Sequence, residues 1–390
     1  MISGNLEGRS HLYTPTFLLL FMAHFFFGLS FWPYVLLPVF LQDLGADLLI
    51  IGVIMGASSL SGIAVRPWVG TGLDRIGRRK LLIAGGIIFL LTHFLYLRVG
   101  TIDWMVYAIR LLHGLGMGIL MATFFTLAAD YSPETRRTEG ISFFGIAGHL
   151  SGAMGVPLGE ELIRLGGYPT LFLTCAGLSL ISIGLTFWIP EPPNRLFGGE
   201  PKGFFRVSLS PNLRLPFMAT LAFGIGLTSY MVFLKPYANA MGIQSVTPFF
   251  IAYTLTAVGV RVIGGSWPDR FGLKPVMYPA MASMSLGIFL FVLQPTPGGL
   301  IASGIFCGIG HGYIFPILSV MVVGIEPSSN RGTLMTLYTL LFDLGLLIGA
   351  PLLGFIAKGG NYGTMYIVAG LVQLAALAVF VFSDQARERE

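Results

Sequence analysis

Twelve apolar runs, each 19 to 28 residues long, fill most of this 390-residue chain. They fall at 14–41, 48–72, 80–98, 104–128, 138–164, 168–189, 214–240, 246–267, 275–294, 298–323, 332–358 and 362–383. A run of 18 or more apolar residues crosses a ~30 Å hydrocarbon core as a helix rising ~1.5 Å per residue. No water satisfies the backbone there, so only helices and closed barrels can span it. These runs are continuous and lack the alternation of ~10-residue barrel strands. The fold class is therefore an all-α membrane protein with 12 transmembrane helices, six in each half.

Charge is scarce, at 11% of residues, and its placement sets the orientation. Placing the amino terminus inside puts 16 of the 23 Lys and Arg in the loops and tails of one side. The other side holds only Arg98, Arg164 and Lys358. Basic residues mark the cytoplasmic side, so both termini are expected in the cytoplasm, with no cleavable leader. Compact loops suit a bacterial inner membrane. The net charge of +5 is a topology signal, and no nucleic-acid partner is expected. Cys175 and Cys307 lie inside spans, so no disulfide framework is expected.

The chain repeats itself at half its length. "RPWVGTGLDRIGRRK", from Arg66, packs six charges into fifteen residues, and "RVIGGSWPDRFGLK", from Arg261, follows the same plan. Arg66 matches Arg261, Gly70 matches Gly265, Asp74 and Arg75 match Asp269 and Arg270, and Gly77 matches Gly272, each 195 residues apart. "GLGMG" at Gly114 matches "GIGHG" at Gly308, and Pro157 matches Pro351, at an offset of 194. The polar stretch from Glu191 to Arg214 separates the copies. The expected organisation is an N-terminal six-helix bundle (1–190), a cytoplasmic linker (191–213) and a C-terminal six-helix bundle (214–390). Part of the linker, "GFFRVSL", could lie on the membrane surface. Repeats related by an axis along the membrane normal are a transporter plan with substrate bound near the midplane.

"GTGLDRIGRR" resembles the G-x-x-x-D-R-x-G-R-R signature of the major facilitator superfamily at every fixed position, and "GSWPDRFGLK" resembles its degenerate second copy. "RLLHGLGMG" is similar to the family's R-x-x-Q-G-x-G motif, with His113 in place of Gln. "GHLSGAMGVPLGE" on the fifth span only partly resembles the G-x-x-x-G-P-x-x-G-G antiporter motif: the glycine before Pro157 is displaced to Gly155, and Glu160 stands where glycine is expected. "GLLIGAPLLG" on the eleventh span is the closer match. The resemblance implies two pseudo-symmetric bundles that rock in alternating access. It also implies a gating motif of Gly70, Asp74, Arg75, Gly77, Arg78, Asp269 and Arg270. In that motif Asp74 would pair with Arg136 or Arg137, or sit at the start of the eleventh span. Positive-inside anchoring alone accounts for Arg78 to Lys80.

Ionisable residues at membrane depth are functional candidates, because each costs about 2.5–3.5 kcal/mol to insert. Asp343 lies roughly 16 Å into its span, beyond snorkelling range, and is expected to couple protons or touch substrate. His149 aligns with it at the 194-residue offset. Arg110 and His113 join these two as candidates through the family motif, which implies a part in proton transfer. Asp343 and His149 also have a plainer reading as structural hydrogen-bond partners, and snorkelling partly relieves Arg110. Arg66 and Arg261 reach toward the cytoplasmic surface and read as structural. Possible cavity-lining residues are His24, Trp32, Tyr34, Tyr230, Lys235 and His311, although aromatic residues also anchor at membrane interfaces. Pro33 and Pro38 should bend the first helix. The histidines lack metal-site spacing, and neither metal nor cofactor is expected.

The function expected is secondary active transport by a monomer that is not an enzyme, with lipid, protons and a small-molecule substrate as partners. Proton-coupled efflux of a drug-like or amphipathic compound is the first reading. The alternative is a proton-coupled importer of a small metabolite such as an organic acid. No Walker motif indicates ATP hydrolysis.

Overall fold

The computed structural model describes residues 12–133, 136–192, 211–323, 331–359 and 361–387. Most of the linker, including "GFFRVSL", lies outside them. Every described span is helical: α1 (Pro15–Asp43), α2 (Leu48–Arg75), α3 (Arg78–Tyr96), α4 (Trp104–Tyr131), α5 (137–165) and α6 (168–186) form the first half. The second half holds α7 (Arg214–Met231, continued by Leu234–Ala240), α8 (Thr247–Gly264), α9 (Leu273–Leu293), α10 (Pro297–Val323), α11 (Arg331–Ala357) and α12 (Tyr362–Arg387).

An unbroken helical run from Arg137 to Thr186 is interrupted only at Gly166 and Gly167, where φ turns to +69° at Gly167. That reversal makes it two crossings. The two fragments of α7 meet at a 42° bend and read as one broken span. Among the described residues this makes twelve crossings, and an even number of crossings puts α1's start and α12's end on one side. We call this the terminal face and the other the far face.

Local chemistry sets several of the ends. Asp47 and Asp103 cap α2 and α4 by accepting the amides of Ile50 and Met105, each at 2.8 Å, which satisfies donors that a helix start leaves free. α1 tightens into a 3-10 turn over Trp32–Leu36, around Pro33, before resuming at Leu37. α7 breaks at the equivalent depth, and the two seven-residue end pieces pack on one another across the halves.

Large apolar side chains face outward, among them Leu255, Ile263 and Phe355. Trp104, at the far-face start of α4, and Trp188, just beyond α6 at the terminal face, are more than three-quarters exposed, as interfacial anchors should be.

The halves repeat in packing as well as in sequence. Gly114 of α4 lets its helix approach the Ser58 carbonyl of α2, and Gly308 of α10 does the same at the Tyr253 carbonyl of α8. Between the halves α2 packs on α11 and α5 packs on α8. The first contact is backbone to backbone. A Cβ on Gly52 would lie 2.1 Å from the Ala350 carbonyl oxygen, and one on Gly354 would lie 2.3 Å from that of Leu48.

Candidate functional site

The charged turn between α2 and α3 depends on Gly77, whose φ of +102° a residue with a side chain rarely adopts. The turn presents the amides of Arg78 and Arg79 to the Glu191 carboxylate, the second at 2.9 Å. A negative group belongs there, at the start of a helix. The Arg78 side chain is buried and pairs with Asp130 of α4 at 3.2 Å while also donating to the Leu73 carbonyl. Simple anchoring is thus too little for Arg78, because its guanidinium points into the protein. Gly272 has nearly the same backbone as Gly77, with φ +95° and ψ 152°. Around it, however, Asp269 and Arg270 are exposed, and Arg270 only covers the Phe271 ring. The side chains of Asp74 and Arg137 and the surroundings of Gly70 lie outside what is described, so the expected Asp74 pairing does too. Arg75 is exposed.

Asp343 lies about twelve residues, or roughly 18 Å, from the start of α11. Its carboxylate accepts from the Arg66 guanidinium of α2, which also donates to Thr339 one turn away on α11. Both partners of this ion pair are mostly shielded. It crosses between the halves at mid-depth. Arg66, read from sequence as a surface-reaching structural residue, turns inward because Asp343 is the counter-charge within reach.

His149 of α5, the sequence counterpart of Asp343, has no such partner among the described residues. Its ring meets His311 of α10 edge to face, with centroids 5.6 Å apart, across the halves. His311 shares a hydrogen bond with the Tyr253 hydroxyl and packs on Phe223. Arg261 of α8, the counterpart of Arg66, donates to the Gly312 carbonyl at 3.3 Å.

Arg110 and His113 belong to the packing of the first half. The buried Arg110 guanidinium holds the Ile54 and Met55 carbonyls and, at 2.6 Å, the Ser58 hydroxyl, all on α2. None of these acceptors is a carboxylate. His113 is buried against Phe89 and Tyr34, with neither ring nitrogen bonded among the described residues. His24 stacks on Phe144. Trp32 donates to the Gly148 carbonyl at 2.9 Å and meets Phe250 of the second half. Tyr34 and Tyr230 sit in the cores of their own halves: Tyr34 bonds His93, which continues to Ser179 and Ser30, and Tyr230 lies against Phe249 and Tyr253.

Lys235 bonds Glu160 of α5 at 2.6 Å. The same carboxylate accepts from the Ser245 and Thr247 hydroxyls and the Val246 amide at the start of α8. Glu160 is the counterpart of Gly354, 194 residues on. Where glycine closes α11 directly onto α2, glutamate closes α5 onto α8 through its side chain. This explains the departure from the antiporter motif.

The sequence reading passed over Arg66, Arg261 and Glu160 as site residues. The 195-residue match of the two arginines and the misplaced glutamate were the signals that could have found them.

The family model described as Major Facilitator Superfamily matches residues 16–264 and 249–390, which together span nearly the whole chain. The chain belongs to the major facilitator superfamily. Its relatives in the superfamily include YhhS of Escherichia coli strain K12, an uncharacterized MFS-type transporter 26% identical over 356 residues, covering 88% of this chain and 86% of that protein. An uncharacterized MFS-type transporter of Pseudomonas aeruginosa strain PAO1 is 26% identical over 362 residues, covering 90% and 88%. Among solved structures, a mutant of the nucleoside transporter NupG aligns with a TM-score of 0.80 at 15% identity, covering 94% of this chain and 99% of that one. The human organic anion transporter MFSD10 aligns at 0.71 and 17% identity, covering 94% and 100%. The superfamily fold, its transporter character and the multi-pass membrane setting are therefore established, and the chain is not an enzyme.

Proposed function

We propose that this superfamily member is a proton-coupled secondary transporter of a small amphipathic organic solute, working as an exporter with both termini in the cytoplasm of a bacterial inner membrane. The observation that carries this reading is the Arg66–Asp343 pair, a shielded mid-span ion pair joining the two halves. Protonating Asp343 removes one charge and leaves Arg66 to seek another partner. Breaking a shielded pair on one side leaves an uncompensated charge, which in buried sites costs about 3–5 kcal/mol. A bias of a few kcal/mol is enough to move a two-state equilibrium. A proton taken up at Asp343 thus loosens α2 from α11 and favours reorientation.

The far face supplies the opposing closure. Glu160 with Lys235, Asp47 with Lys358 at 3.6 Å, and the Gly52 and Gly354 approaches all join the halves at that end. In this arrangement the route to the far side is shut. Alternating access then consists of exchanging these contacts for ones at the terminal face, where the Gly77 turn and its Arg78–Asp130 pair stiffen the first half.

The test is transport into everted vesicles with an imposed proton gradient. Uptake driven by the gradient and lost in Asp343→Asn supports the reading. Gradient-driven transport that Asp343→Asn leaves unchanged refutes it. Import of a small organic acid is the second reading, favoured by Arg261, with His149 and His311 beside it, near mid-depth. Gradient-driven accumulation in right-side-out vesicles would favour it over export.

A further inference from the structure

The two halves place equivalent residues at equivalent depth but complete only one of the two ion pairs. On the α2–α11 side, Arg66 meets Asp343 and Thr339. Applying the repeat offsets, the α8–α5 side should pair Arg261 with positions 149 and 145. Those positions hold His149, which brings no fixed negative charge, and Gly145, where an added Cβ would meet nothing within 4 Å. Arg261 keeps a single hydrogen bond, to the Gly312 carbonyl, and no carboxylate partner among the described residues. That carbonyl belongs to the residue after His311, whose ring lies 5.6 Å from the His149 ring, centroid to centroid. Three groups able to donate hydrogen bonds, one of them a fixed positive charge, therefore converge, with an acceptor missing and space beside it. A shielded guanidinium at membrane depth is costly without a counter-charge.

We propose that the carboxylate of an amphipathic organic acid is the missing acceptor: it docks on Arg261 between α5 and α8, occupying the place that Asp343 fills on the other side. A planar guanidinium takes a carboxylate through two parallel hydrogen bonds, and His149 and His311 flank it from the two halves. Phe315, stacked on His311, and Phe342, which meets Phe315, are half-buried and offer apolar surface for the rest of the solute. Because the anion would touch both halves, its arrival would substitute for an internal contact that the sequence omits. This assignment deepens the transporter reading and rests on it for the route by which the acid arrives.

The experiment uses the purified full chain in detergent, where no gradient exists, and follows the thermal unfolding midpoint with benzoate, 4-hydroxybenzoate and octanoate and with their neutral amides. The carboxylates should raise the midpoint and the amides should not. R261Q should weaken half-saturation roughly tenfold or more, the loss expected for a charge-assisted hydrogen bond, and R261K should retain part of the response. H149D supplies the carboxylate from within. It should raise the midpoint of the unliganded protein and abolish the response to carboxylates, which guards against reading a misfolded R261Q as support. Equal stabilisation by the amides, an unchanged response in R261Q, or a wild type that none of the three carboxylates stabilises would each overturn the site. Loss of proton coupling in vesicles would instead overturn the proposed function and leave carboxylate binding in detergent intact.

Discussion

Glu160 and Gly354 stand at equivalent positions of α5 and α11, 194 residues apart, and each closes a contact between the halves at the far face. One does so with a carboxylate that gathers Lys235, Ser245, Val246 and Thr247, the other by removing every side-chain atom. The two closures should therefore fail in different ways.

Removing the carboxylate strands a mostly shielded ammonium. Glu160→Gln and Lys235→Met are each expected to lower stability by about 1–3 kcal/mol, with a clear coupling energy between them. Thermal melting of the two single variants and the double variant gives that energy; simple additivity would mean the contact contributes nothing to closure.

On the glycine side the obstacle is backbone, which cannot rotate away. Gly52→Ala should cost about 1–3 kcal/mol through overpacking and slow transport by holding α2 off α11. Gly177→Ala, where a Cβ meets nothing within 4 Å, is the control and should gain up to about 1 kcal/mol from helix propensity. If both glycine variants melt and transport alike, close approach is not what position 52 requires.

The two copies of the charged turn should also differ. Arg78→Ala removes a buried guanidinium that pairs with the shielded Asp130 and holds the Leu73 carbonyl, and is expected to destabilise by about 3–5 kcal/mol. Arg270→Ala removes an exposed side chain and should stay within about 0.5 kcal/mol. Equal losses on melting would mean that the second turn carries contacts of comparable weight.

Much of this was legible in the sequence because the governing physics is local. Run length gave twelve crossings, and the offsets of 194 and 195 residues gave the pairing of the halves. The repeat also matched Gly77 with Gly272, and the structure gives both a left-handed φ. Contacts between the halves were less legible. Arg66 and Asp343 are 277 residues apart, and nothing local says that the arginine turns inward rather than snorkelling. Glu160 was visible as a departure from a motif, yet its meaning depends on α8 beginning at Val246 and Thr247. Arg110 and His113 show the reverse: a family motif singled them out, and the structure gives them packing and carbonyl-binding roles within one half.

The measurement that tests the central claim most directly follows a pH-sensitive dye inside everted vesicles energised to be acid within. Wild-type protein, Asp343→Asn and Arg66→Gln are compared while lipophilic cations, neutral amphipathic compounds and small carboxylates are added in turn. The account predicts that at least one class collapses the gradient with the wild type and none does so with Asp343→Asn. A solute that collapses the gradient equally well through Asp343→Asn would show that the proton passes elsewhere, and the role assigned to the Arg66–Asp343 pair would be wrong.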